Sequence, residues 1–453
     1  MTNRASLFLV LVVILAAYAG RLQAAPSPEV SNFALGNGLE VVVIPDRRSS
    51  IATHMIWYKA GSADEPAGKS GLAHLLEHLL FRSSDDSPAG GFSSVVTMLG
   101  GDENAFTSND YTAYFQRISR DHLETVMTLE ARRMSSLALT DNDVRVERDI
   151  IMEEYNMRVA TSPTARLAEQ INAQLYRDHP YGTPVIGWPR EISTLDREDV
   201  LAFYRRFYVP NNAVLVIVGD VTPEEIRTLA EKTYGKVKPS TQLELRIRQR
   251  GPQTSEPGKL VLADSRAQPS LRRSYPVPSY AVAPAGVAEA LDVLAHILGG
   301  GSASRLYRAL VAEAPLAAWA SGAYESAALG TSRFDLQASI EPGVTFAEID
   351  SVFDRVVADI VREGVTAEEL ERVKARLIAN VAYAQDSQEL RARSYGVALT
   401  TGATIADIRS WPRRIQAVTS EAVRDAARIW LNNGSSVTGY LTNEVSIISE
   451  KQE

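Results

Sequence analysis

The chain contains no cysteine. That absence removes disulfides, thiolate zinc sites, iron–sulfur clusters and cysteine nucleophiles together, leaving His, Asp and Glu for any metal and Ser, Thr or water for any nucleophile. No run of Lys and Arg stands out and the formal net charge is −8, so the basic footprint of a nucleic-acid binder is missing. No Gly-x-Ser-x-Gly elbow of a serine hydrolase occurs, and Gly299-Gly300-Gly301 is not followed by the Gly-Lys-Ser/Thr of a phosphate loop, so a hinge beside a helix start is the better reading of those glycines. What is present is an ordinary folding composition: 453 residues, 45% hydrophobic and 23% charged, with 28 Gly and 21 Pro. At about 150 residues per domain this predicts two or three domains. With no disulfide available, core size must hold them.

Residues 1–25 carry Arg4, an apolar run over 5–19, and small residues at Ala17, Ala19, Ala24 and Ala25, the tripartite form of a secretory signal. The run is shorter than the roughly 20 residues a bilayer span needs, so a retained membrane anchor is the weaker alternative. Removing residues 1–24 takes Arg4 and Arg21 and no acid, so Lys+Arg falls from 47 to 45 against 55 acids and the net charge becomes −10. The expectation is an acidic, exported protein, periplasmic in a Gram-negative cell.

Alternating segments such as 39–44 and 54–58 read as strands, and amphipathic stretches such as 70–81 and 121–136 read as helices. A polar stretch, 236–259, lacks the periodicity of a core face and reads as a linker. The two sides of it repeat each other. Tyr208-Val209-Pro210-Asn211-Asn212 leads into a strand over 213–218, and Trp430-Leu431-Asn432-Asn433 leads into one over 436–441. The segment 140–157 likewise matches 366–383, and the offsets, 432 − 211 = 221 and 366 − 140 = 226, nearly agree. The prediction is an α+β protein of two homologous domains, 28–240 and 259–450, joined by a linker over 241–258.

His74-Leu75-Leu76-Glu77-His78 lies inside the helical pattern 70–81. On a helix, histidines at i and i+4 share a face and can grip one ion, while Glu77 can reach water beside it. Leu72, Ala73, Leu75, Leu76, Leu79 and Leu80 make the helix almost wholly apolar, so its polar groups need a partner, and a divalent cation is the natural one. A hydrolytic zinc wants three protein ligands, and without thiolates the third must be a carboxylate or imidazole. The helical pattern 141–157 supplies Glu147 and Glu154, seven apart and on one face, whereas Glu153 points elsewhere. Glu154 is assigned as ligand and Glu147 as the acid that orients a ligand. Taken alone, that helix could equally be a solvated acidic face with i,i+4 pairs to Arg148 or Arg158. Of the other histidines, His54, His122, His179 and His296 are read as structural. Residues 105–115, with Phe106, Tyr111 and Phe115, read as a strand with a turn.

His74-Leu75-Leu76-Glu77-His78 followed 76 positions after His78 by Glu154 resembles the inverted zinc motif of the pitrilysin, insulysin and mitochondrial-processing-peptidase family, the M16 peptidases. Gly100-Gly101-Asp102-Glu103-Asn104-Ala105-Phe106-Thr107, His179-Pro180-Tyr181-Gly182, 208–220 and 299–306 resemble its other segments, so the likeness covers essentially the whole mature chain. The resemblance implies two domains, each a mostly antiparallel sheet with helices packed on it, forming half of a clamshell chamber. It implies one zinc ion held by His74, His78 and Glu154, with Glu77 as general base. It also implies an edge strand through Asn104, Ala105, Phe106 and Thr107 that pairs with an extended peptide substrate. One departure matters. Where the family's complete sites carry an Arg and a Tyr in the second domain, this chain has Val311 and Ala318, neither able to donate a side-chain hydrogen bond. The 226 offset also places Val373 and Asn380 where the first domain has Glu147 and Glu154. The expectation is therefore a zinc metalloendopeptidase subunit that pairs with a homologous partner supplying Arg and Tyr, with a homodimer or a non-catalytic peptide-binding subunit as the alternatives.

Overall fold

The computed structural model describes residues 30–82, 91–243, 246, 248 and 257–443; the expected signal, 1–24, and most of the expected linker lie outside them. Eleven described strands form two sheets. In the first, β1 (Ser31–Ala34), β2 (Glu40–Pro45), β3 (Ile51–Tyr58), β4 (Asp102–Thr107), β5 (Thr112–Ser119) and β6 (Ala213–Gly219) take the order β1-β2-β6-β3-β5-β4. In the second, β7 (Gly258–Ala263), β8 (Ser270–Pro278), β9 (Ala320–Tyr324), β10 (Thr331–Ser339) and β11 (Val437–Thr442) take the order β7-β11-β8-β10-β9. Each sheet contains one parallel pair, β2 with β6 and β7 with β11, and is otherwise antiparallel. Apart from β1, the two sheets have the same topology. The repeat seen in the sequence is a repeat of fold.

Five helices place the site and join the halves: α1 (Leu72–Arg82), α2 (Asp141–Tyr155), α3 (Pro163–Leu175), α4 (Ala367–Ala384) and α5 (Gln388–Thr400). Helix α1 starts two residues later than the expected 70–81 because Gly71 has φ +85°, which a helix does not allow. A side chain there would also meet Ile186 O at 2.7 Å, so only glycine lets the chain enter α1 beside Gly187. The Glu65 carboxylate accepts from the backbone N–H groups of Gly71 (3.1 Å) and Ala73 (2.8 Å), satisfying donors that a helix start leaves orphaned. Helices α2 and α4 begin on matched capping boxes, Thr140 with Asp143 and Thr366 with Glu369, both pairs 226 apart. These caps fix the register between the domains at the offset read from sequence.

The halves are interlocked. Helix α3, from the first half, packs on β11 and β7 of the second sheet; α5, from the second half, packs on β6 and β3 of the first. That explains β6, Ala-Val-Leu-Val-Ile-Val-Gly, buried along its whole length: one face meets the helices of its own domain and the other meets α5. Closeness at both crossings depends on glycine. A Cβ on Gly396 of α5 would fall 1.9 Å from Trp57 Cε2, and one on Gly439 of β11 would fall 2.6 Å from Ile171 Cδ1. Buried ions add to the joint: Arg391 pairs with Asp46, and Arg248 of the linker stretch reaches Asp64 (2.8 Å) and Asp110 (2.9 Å). Gly299, expected in a hinge, closes a helix pressed against Gly322, with no room for a Cβ.

Candidate metal centre

Leucine and alanine, strong helix formers, fill the buried faces of α1 and hold it between the first sheet and α2. One face therefore carries His74 and His78 one turn apart, with ring centroids separated by 4.7 Å. Helix α2 runs alongside and turns Glu147 and Glu154 toward them, while Glu153 is exposed. Immediately after Glu154 and Tyr155 the helix widens into a π turn over Asn156–Ala160, a distortion frequent at functional sites.

His78 Nε2 lies 3.5 Å from Glu154 Oε2, and His74 Nε2 lies 3.8 Å from Glu154 Oε1. The candidate ligand atoms of His74, His78 and Glu154 all fall within 4.8 Å of one another. These separations are too long for hydrogen bonds and close to the edge of a small coordination polyhedron, since bonds of about 2.0 Å in a tetrahedron put ligand atoms about 3.3 Å apart. His74 is buried, and among the described residues its Nδ1, the nitrogen turned from Glu154, has no hydrogen-bond partner, which is uncommon for an interior imidazole. Burial, followed by the positive charge of His78 and Arg158, pushes His74 down to about 3, so its ring is neutral and keeps a lone pair to offer. The donor set fits a divalent cation such as zinc, and nitrogen with carboxylate oxygen also suits other first-row metals.

Around these groups sit three orienting contacts. Glu147, 3% exposed, accepts from His78 Nδ1 at 3.2 Å, which points the Nε2 lone pair at Glu154. Arg82, in the last turn of α1, pairs with the other oxygen of Glu147. Burial lowers His78, but the Glu147 hydrogen bond and the carboxylates of Glu154 and Glu77 outweigh it and leave the ring more basic than usual. Arg158, from the π turn, pairs with Glu154 at 2.6 Å. Glu77 lies beside the histidines with 8% of its surface exposed, and burial raises its carboxyl. Sequence reasoning did not single out Glu65 or Arg82. Arg82 could have been found, because it stands four residues after His78 and so on the same helix face.

The order of the first sheet leaves β4 at an edge. Its residues alternate: Ala105 packs toward the core that holds α1 and Thr107 reaches Glu77, while Phe106 turns to the opposite face. There the Phe106 ring meets Trp57 at 5.2 Å and lies under the Arg393 guanidinium of α5 at 4.1 Å. Asn104 is exposed and its Oδ1 accepts from Ala105 N. The second domain holds Val311 partly buried against its own core and Ala318 exposed, its N–H donating to Ser339 Oγ. Of the remaining histidines, His54 is fully buried between Gln116 Oε1 (2.7 Å) and Tyr234 OH (2.8 Å).

Two family models match the chain: Insulinase (Peptidase family M16) over residues 40–188, and Peptidase M16 inactive domain over 194–377. The chain is 30% identical over 431 residues to an uncharacterized zinc protease of Mycobacterium leprae, covering 92% of this chain and 93% of that one. The crystal structure of a protease from Helicobacter pylori superposes with a TM-score of 0.85 at 26% identity, over 92% of this chain and 99% of that one. The periplasmic protease PqqL from Escherichia coli shares the fold, with a TM-score of 0.78 at 18% identity, over 95% of this chain and 49% of PqqL. Identity across nearly the whole of a zinc protease, together with two α+β domains of one topology, makes this chain a member of peptidase family M16 with the fold of half a clamshell.

Proposed function

We propose that this chain is a zinc metallopeptidase subunit that hydrolyses extended peptides. His74, His78 and Glu154 hold the metal, Glu77 acts as general base, and Glu147 orients His78. The observation that carries the reading is the convergence of two imidazole nitrogens and a carboxylate, His74 buried and the other two partly buried, beside a second, buried carboxylate. A divalent cation bound there supplies Lewis-acid polarisation of a peptide carbonyl and acidifies a water molecule. Glu77 takes the proton of the attacking water and delivers it to the departing amine. Its raised affinity for a proton, caused by burial, suits both halves of that exchange. The edge strand β4 pairs with β5 on one side only and, over Asn104, Ala105, Phe106 and Thr107, offers the outward-facing half of its backbone groups to an extended substrate. The Phe106 ring is taken up by Trp57 and Arg393 on the opposite face and does not meet the substrate.

The subunit reading rests on Val311 and Ala318, which leave the second domain without the Arg and Tyr of complete sites. The fold also covers about half of PqqL, which supports pairing with a second chain of the same fold. The partner is a homologous chain that carries the missing pair. Residues 1–24 direct export.

The test is metal content after dialysis, followed by peptidase activity of the chain alone, of the chain mixed with a co-encoded homologue, and of the Glu77→Gln variant. Zinc retained near one per chain, weak activity alone, strong activity in the mixture and none in Glu77→Gln are the expected results. An empty site would favour a non-catalytic peptide-binding subunit. Full activity of the isolated chain would remove the need for a heterologous partner.

A further inference from the structure

Helix α1 and the edge strand meet at one short hydrogen bond. Thr107 is the last residue of β4, and its Oγ1 lies 2.5 Å from Glu77 Oε2. The direction of that bond follows from the hydroxyls around it. Thr112 Oγ1 donates its single proton to Ala60 O at 3.0 Å, so toward Thr107, 3.4 Å away, it can only accept. An ionised carboxylate has no proton to give. The Thr107 proton therefore goes to the nearer acceptor, Glu77. No other hydrogen bond to the Glu77 side chain is found among the described residues.

This contact matters because of how a glutamate moves. The terminal torsion of its side chain is broad and poorly fixed by rotamer preference, so a carboxylate held by nothing can turn either oxygen, or neither, toward a reacting water. Thr107 is itself well held: β4 pairs with β5 through the register Thr107–Thr112, and Thr112 is fully buried.

We propose that Thr107 is a positioning residue for Glu77: its hydroxyl anchors Oε2, leaving Oε1 to face the cleft bounded by His74, His78 and Glu154. Accepting the role of Glu77 given above, the inference adds that one strand does two jobs. The backbone of β4 receives the peptide, and the side chain that ends β4 aims the base. The Thr107 hydroxyl is thereby committed to the protein and is not a substrate contact.

The test compares Thr107→Val, which keeps the β-branched shape and loses the hydroxyl, with Thr107→Ser, which keeps the hydroxyl. With the metal-loaded chain, in its active assembly and on one peptide, Thr107→Val should lower kcat about 10- to 100-fold while KM stays within about twofold, a loss of the size that misplacing a reacting group causes. Thr107→Ser should stay within about threefold of the parent, and zinc content should not change in either variant. Crystal structures of the metal-free variants supply a readout independent of turnover: the Glu77 carboxylate should leave its parental orientation in Thr107→Val and keep it in Thr107→Ser. An unmoved carboxylate, a raised KM at unchanged kcat, or equal impairment of the two variants would each overturn the inference. If the parent proves inactive with every partner and peptide, the peptidase reading fails, and the orientation of Glu77 still decides the role of Thr107. Should Thr107→Val not fold, Thr107→Ala against Thr107→Ser makes the same comparison.

Discussion

Helix α1 and the helix Val287–Gly299 follow the matching strands β3 and β8 and occupy the same place in their domains. Their third, sixth and seventh residues are His74, Glu77 and His78 in one, and Glu289, Asp292 and Val293 in the other. Both helices thus bury carboxyls, but they settle them differently. In the second domain both carboxyls have a partner from within: Arg414 forms an ion pair with Glu289 at 3.0 Å, Tyr280 OH donates to Asp292 Oδ2 at 2.6 Å, and Trp411 Nε1 donates to Tyr280 OH at 2.8 Å. In the first domain His74 Nδ1 lacks a partner among the described residues, and Glu154, paired with Arg158, stands off both histidines. Buried polar groups are costly unless satisfied. The difference between the helices is that in the first domain alone, among the described residues, two imidazoles and a carboxylate bring candidate ligand atoms within 4.8 Å of one another.

The sharpest way to break the comparison is to remove the sixth residue of the first helix. Glu77→Gln should lower kcat by about 10²- to 10⁴-fold and leave zinc content and thermal stability nearly unchanged. Retained turnover would dissolve the distinction between the two helices. Next in size, Glu147→Ala removes the acceptor that orients His78 and should weaken zinc binding about 10- to 100-fold, read by competition with a chelator. The interlock between the halves is tested by Gly396→Ala, whose methyl group must displace Trp57; a loss of about 1–3 kcal/mol in denaturant unfolding is expected, with both sheets losing protection together. If only one sheet loosened, the exchanged helices would not couple the domains.

Asp292→Asn makes the complementary change at the sixth position of the second helix. Burial pushes Asp292 up to about 7, against the opposing pull of the Tyr280 hydrogen bond, from an ordinary value of 3.8. The folded protein therefore binds the proton more tightly than the unfolded chain. The stability this confers is complete below about pH 4 and is lost as pH rises toward 7. Asn keeps the shape without the charge, so Asp292→Asn should be about 1–2 kcal/mol more stable than the parent near pH 8 and should flatten the decline between pH 4 and 7. An unchanged pH profile would show that Asp292 is not the group responsible. The smallest effect is expected from Glu153→Gln. That residue shares α2 with Glu147 and Glu154 but faces solvent, and its loss should shift stability by less than about 0.5 kcal/mol and leave zinc binding intact.

The metal motif was legible because helix period is a local property. His74, His78, Glu147 and Glu154 could be grouped from spacings of four and seven residues, and the repeat was legible because 140–157 and 366–383 match in length and apolar placement; their shared caps at Thr140 and Thr366 came with the structure. Other features were not. The hydrogen bond from Thr107 to Glu77 joins positions 30 apart, and the turning of Phe106 away from the cleft depends on which face of β4 meets α5. Nor could composition reveal that Arg248, in a stretch that looks like solvated linker, is nearly buried between Asp64 and Asp110.

By itself, then, the sequence determined the secondary structure around the site, the doubling of the domain and the chemistry open to a chain without cysteine, since these depend on side-chain type and short-range period. Tertiary structure alone decided the rest. It placed α3 on the second sheet and α5 on the first, brought Glu154 between two histidines, and set the Thr107 hydroxyl as a hydrogen-bond donor to Glu77. Those are contacts between segments distant in the chain, fixed by how buried faces pack rather than by any pattern along it.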